Sequence, residues 1–189
     1  MKKYGWKRDK IDCRDIMAER LTKPEKLPIK LDLREVRKFN IYDQGNLGSC
    51  TAQAAAGAIQ WEKNISIDRP SRLYIYYYTR VIENTVTEDS GATIRDTIKS
   101  VNRYGYCMEE LWQYDISKFK IEPSKVAYNE AIKNKVVTYK RINQSITQIK
   151  FAIYNKLPVI FGFEVFEYME SDEMSKLGIL KMPGRGEQY

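Results

Sequence analysis

The stretch Tyr42-Asp43-Gln44-Gly45-Asn46-Leu47-Gly48-Ser49-Cys50-Thr51-Ala52 constrains this chain more than any other. Its glycines permit a tight loop, and the loop runs into Thr51–Trp61, a strongly helix-forming and small-sided segment. Ser49 reads as the N-cap. So many small residues predict a helix that lies close against its neighbours, with the rest of the fold built around it. Cys50 falls at the positive end of that helix, where the macrodipole favours thiolate over thiol. Gln44, six residues earlier, folds back across the loop so that its amide joins the Cys50 backbone N–H in stabilising an oxyanion. A Cys in a helix is often only a small buried residue. The preceding Gln, the Gly-Ser step and the cap together favour the nucleophile.

Composition narrows the chemistry. The 189 residues hold no His, so an imidazole base, a Ser-His-Asp triad and the common zinc sites cannot be completed within them. No metal site and no cofactor is expected. Three Cys, at 13, 50 and 107, share no CxxC spacing and leave at least one thiol free. An apolar fraction of 43% supports a buried core. The longest apolar run, Leu157–Phe163, is far below the roughly 20 residues that cross a bilayer, and no apolar h-region follows the basic start. The reading is no membrane partner and a cytoplasmic location. Residues 1–38 carry 13 Lys and Arg against 7 Asp and Glu, which is +6 of the net +7. These charges are interleaved and lack a reader motif, so a nucleic-acid partner is not expected. A solvated arm packed over the domain is favoured.

Along the chain, residues 1–40 read as an irregular basic leader with a short helical possibility around Ile11–Leu21. Residues 41–134 read as a helical lobe and residues 135–189 as a partial β-rich lobe. Pro70-Ser71 opens a helix from Arg72 to about Glu83; its Tyr74–Tyr78 run is also strand-like, and the cap favours helix. Thr93–Tyr104 places Ile94, Ile98 and Val101 on one face and ends at Gly105. Pro123–Asn134 predicts a short helix, and Ile146, Ile149 and Ile153 predict another that ends before Pro158. Val136–Tyr139 is β-like and Val159–Phe166 reads as a buried strand. The pairs Glu109-Glu110 and Asp172-Glu173 read as solvated surface, and Cys107 and the Tyr cluster as packing.

Gln44-Gly45-Asn46-Leu47-Gly48-Ser49-Cys50 resembles the nucleophile signature of the papain-like cysteine peptidases. Tyr4-Gly5-Trp6, Leu31-Asp32-Leu33-Arg34, Pro70-Ser71-Arg72-Leu73-Tyr74, Asp89-Ser90-Gly91-Ala92, Leu111-Trp112-Gln113-Tyr114-Asp115 and Phe161-Gly162-Phe163 extend the likeness to the bacterial and viral branch, over essentially the whole chain. The resemblance implies an α+β, two-lobe papain-like fold, with a helical first lobe and an incomplete β-barrel-like second lobe. It makes Cys50 the nucleophile and Gln44 the oxyanion donor. It places Ser49, Ser90 and Gly91 in substrate binding, with the bare backbone of Gly91 pairing with an extended peptide. Leu47 stands where many relatives have a Cys, which removes a disulfide, and Thr51 replaces the aromatic after the nucleophile.

The function implied is proteolysis of a peptide or protein substrate by thiolate attack on a carbonyl. The family's His and Asn, expected about 130 to 150 residues beyond the Cys, are not found, so the chain reads as a fragment that hydrolyses peptides weakly or not at all. The arm is expected to lie over the groove as a short propeptide-like segment. The alternative is a non-catalytic papain-like module that binds extended peptides; a Cys-dependent acyl transferase is a third reading.

Overall fold

The computed structural model describes residues 3–18, 25–37, 41–65, 68–136 and 138–180. Its centre is a helix, α1 (Cys50–Lys63), whose Ala52, Ala55 and Ala56 are buried. Small side chains let two further helices approach it, α2 (Arg72–Glu83) and α3 (Ile94–Tyr104). Leu73, Ile75, Tyr76 and Val101 fill the space between, each aliphatic side chain contributing about 2 kcal/mol of burial. Leu47 is sealed into this core from the loop before α1, and all three cysteines are free. Thr51, where relatives carry an aromatic, accepts a hydrogen bond from Thr97 Oγ1 at 2.9 Å and so ties α1 to α3.

Local chemistry sets the helix ends. Ser71 Oγ accepts from Tyr74 N–H, and Thr93 Oγ1 accepts from Asp96 N–H while donating to the Asp96 carboxylate. Asn64 and Asn84 close α1 and α2 in the left-handed conformation. A second apolar cluster joins Tyr74 and Tyr78 of α2 to Cys107 and to α4 (Lys125–Ala131), with the Tyr78 and Tyr104 rings stacked 4.6 Å apart. α5 (Ile146–Tyr154) and α6 (Asp172–Leu177) follow. No helix among the described residues is long and apolar enough to cross a membrane.

Several expectations are corrected. Of the helix expected around Ile11–Leu21, residues 19–21 lie outside the described residues and 11–18 form no helix: the Asp12 carboxylate accepts from Arg14 N–H in a turn, and Ile16–Ala18 bonds backbone to backbone with Arg141. Val159–Phe166 is neither a strand nor buried, with Phe161 69% exposed. A strand requires a ladder partner, and none is found for this run among the described residues. Val136, Thr138 and Tyr139 are likewise irregular; Val137 lies outside the described residues. The sheet lies elsewhere. Strand β1 (Trp6–Lys7), in the arm, pairs in parallel with β2 (Ala92–Thr93), matching Trp6 to Ala92 and Lys7 to Thr93.

Candidate active site

Cys50 opens α1, half-buried where Gly5 passes close to Gly48 and Gly91. The helix end does not win alone. Burial pushes the thiol above its ordinary value, outweighing backbone hydrogen bonds with Gly5, Thr51 and its own amide that favour thiolate. The thiolate expected from the helix terminus is therefore disfavoured in this state of the protein.

What buries Cys50 is in part the chain's own arm. Gln44 Nε2 donates to the Lys3 carbonyl at 2.6 Å and to the Leu47 carbonyl at 3.0 Å. Two residues on, Gly5 crosses between Gly48 and Gly91. A Cβ at Gly5 would meet Gly48 O at 1.9 Å, and one at Gly91, whose φ is +70°, would meet Gly5 O at 2.0 Å. Ala92 N–H donates to Gly5 O at 2.7 Å. The amide expected to hold an oxyanion thus holds an arm carbonyl, and the backbone edge expected to pair with an extended peptide pairs with the arm. Trp6 then lies with its ring on Gly162, where any Cβ would meet it at 2.1 Å.

Charge anchors the arm on both sides. Lys3 Nζ reaches Asp89 Oδ2 at 2.7 Å, and Lys7 Nζ reaches Glu83 at 2.9 Å and Ser90 Oγ at 3.3 Å. Asp89 also accepts from Gly48 N–H and from Tyr76 Oη, whose oxygen receives Gly91 N–H. Burial, the largest influence, raises the Asp89 carboxyl, but the bonds from Lys3, Tyr76 and Gly48 together outweigh it and hold the group below its usual range. Farther along, Asp9 accepts from Arg95 N–H at the start of α3, and Asp15 bridges Arg95 at 2.7 Å and Arg141 at 2.5 Å.

The structure brings Cys50, Gln44, Gly91 and Ser90 together around arm residues 3–7. Ser49 goes elsewhere: it is fully buried, makes no side-chain cap, and its hydroxyl meets Tyr114 Oη at 2.6 Å and Gln53 Nε2 at 3.0 Å. Its buried hydroxyl supports the loop. Glu109, read as solvated, is buried between Arg72 at 2.7 Å and Arg69 at 2.8 Å. Asp89, Tyr76 and Tyr114 were missed as site residues. A signal for the first existed, since a carboxylate two residues before a pairing glycine stands beside the groove. Cys107 is buried, and burial pushes its thiol to about 12, which suits packing. No group of three or more Cys, Asp or Glu able to hold a metal ion occurs among the described residues.

No family model matches the chain. An uncharacterised peptidase C1-like protein of Acanthamoeba polyphaga mimivirus is 39% identical over 213 residues, spanning 98% of this chain and 68% of that protein. Xylellain, a cysteine protease from Xylella fastidiosa, superposes with a TM-score of 0.81 at 34% identity, over 97% of this chain and 74% of its own. A structure from work on the mite allergens Blo t 1 and Der p 1 shares the fold at a TM-score of 0.55 and 19% identity, over 74% of this chain and 47% of that one. With relatives of this kind along nearly its whole length, the chain belongs to the papain-like cysteine peptidase family.

Proposed function

We propose that this chain supplies the nucleophile and oxyanion donor of a cysteine peptidase that takes peptides or proteins in extended form along Gly91–Thr93, and that the seated arm keeps it latent. One observation carries the reading: a peptide segment already lies there, with the Lys3 carbonyl on Gln44 Nε2 and Gly5 over Cys50. In a productive complex Cys50 sulfur adds to the scissile carbonyl carbon, and Gln44 with the Cys50 N–H stabilises the resulting oxyanion. The sequence contains no imidazole to take the thiol proton or to protonate the leaving amine. Residues 1–189 alone are therefore expected to turn over a fluorogenic peptide only at trace rates. Ordinary protease turnover that disappears in Cys50→Ala would overturn that expectation.

The latent state has its own test. Gly5→Val puts a side chain where Gly48 O stands and unseats the arm, so iodoacetamide should modify Cys50 about tenfold faster at neutral pH as access and hydration return. An unchanged rate would show that the arm does not guard the thiol. Peptide binding by a chain whose Cys50 forms no adduct with a peptide aldehyde, even after the arm is unseated, would favour the second reading, a peptide-binding module.

A further inference from the structure

The catalytic use of Gln44 and Cys50 requires that the two stay in fixed relation, yet a loop punctuated by two glycines joins them. What fixes that loop is a closed chain of hydrogen bonds behind it, and proton counting sets its direction. Gln53 Oε1 accepts from Arg72 Nη1 at 3.0 Å, so the Gln53 amide presents Nε2 to Ser49 Oγ at 3.0 Å. Tyr114 Oη donates its single proton to the Gln44 carbonyl at 2.9 Å. At the 2.6 Å contact, Ser49 must then be the donor and Tyr114 the acceptor. Arg72 Nη1 closes the circuit by donating to the Asp43 carbonyl at 3.1 Å, and its guanidinium lies 4.1 Å from the Tyr114 ring centroid.

Resting on the peptidase reading of this site, we infer that Tyr114 is a positioning residue. Its hydroxyl, held between the Gln44 carbonyl and Ser49, sets the spacing of oxyanion donor and nucleophile. Its hydroxyl bonds to the loop that carries the two groups. It is the link that joins residue 44 to residue 49 across the loop through a side chain. From Arg72 through Gln53, Ser49 and Tyr114 to the Gln44 carbonyl the bonds all point the same way, so each donor polarises the next.

The test uses Tyr114→Phe, which keeps the ring over Arg72 and removes only the hydroxyl, in the full chain carrying Gly5→Val. Two probes report on Cys50. A capped apolar dipeptide aldehyde forms a C–S bond to its carbonyl carbon, and the displaced π pair becomes a hydroxyl after taking the thiol proton; that adduct needs Gln44. Iodoacetamide forms a C–S bond and expels iodide, with the thiol proton lost to solvent; that step needs only the thiolate. Tyr114→Phe should weaken aldehyde capture about tenfold, the worth of one hydrogen bond, and leave the alkylation rate and its pH profile within about twofold. Gln44→Ala should give the same selective loss, with little further loss in the double variant. Equal loss with both probes, no loss, or strictly additive losses would overturn the proposal. If Gln44→Ala itself leaves aldehyde capture unchanged, the peptidase reading of the site falls and this inference with it. Should Tyr114→Phe fail to fold, Ser49→Ala breaks the same link from the other side and carries the same expectations.

Discussion

At the scale of single residues, the site turns on atoms that are missing. Gly91 is buried at φ +70°, and a Cβ there would fall 2.0 Å from the arm's Gly5 carbonyl. Gly91→Ala thus carries two penalties, one for backbone conformation and one for the lost seat. We expect it to lower folding stability by about 1–2 kcal/mol in urea denaturation and to expose Cys50 to iodoacetamide. Retained protection of Cys50 would show that the arm does not depend on this edge. Cys50 itself shows why a local rule misleads: a helix terminus favours thiolate, but the desolvation imposed by what lies above it is the larger influence. The sequence exposes the first effect because it acts within one turn. The second depends on residues more than forty positions away.

Among the elements, the helices α1 to α5 were legible, whereas the helix expected near residue 11, the short α6 and the strands were not. α2 begins after Ser71 and α3 after Thr93 because those hydroxyls cap N–H groups three residues on, a signal contained within four residues. The pairing of β1 with β2 joins residues 6 and 92, and nothing near Trp6 announces it. Conversely, Val159–Phe166 has strand composition without a ladder partner. The arm is an element of this kind, made by its contacts. Its outer clasp is Asp15 with Arg95 and Arg141, and hydrogen bonding from Arg95 foremost holds the Asp15 carboxyl below its ordinary value. The Asp89 carboxyl on the inner side is held down as well. A carboxyl depressed in the docked state favours docking at pH above its free value, near 4, and loses that favour as pH falls through the depressed one. The arm should therefore stay docked at pH 5 and loosen only in stronger acid. Hydrogen exchange at the Ala92 amide, corrected for intrinsic rate, would check this; equal protection loss at pH 5 in the wild type and in Asp15→Asn would count against the clasp.

Across the whole molecule, a buried charge network joins the segments that carry the site. Arg72 of α2 reaches Glu109, the Asp43 carbonyl and Gln53 of α1, and its guanidinium faces the Tyr42 and Tyr114 rings. Removing one partner leaves the other charge buried without compensation, so Glu109→Gln should cost about 3 kcal/mol of folding stability. Urea denaturation measures it, and a loss under about 1 kcal/mol would show that Arg69 and Arg72 find other partners. The network was invisible in the sequence for a physical reason. Adjacent acids are usually solvated, and only the fold brings two arginines of one segment onto the first of this pair.

The crossing of Gly5, Gly48 and Gly91 has one more consequence. Three strands of backbone meet there without a side chain, and the arm fits only because its fifth residue has none. A slip of one residue in either direction would thrust the Cβ of Tyr4 or Trp6 into the Gly48 carbonyl. The arm is therefore indexed like a key with a single notch. A competing peptide can follow the same path to the same depth only if it carries a glycine at the notch, and any other must ride higher in the groove.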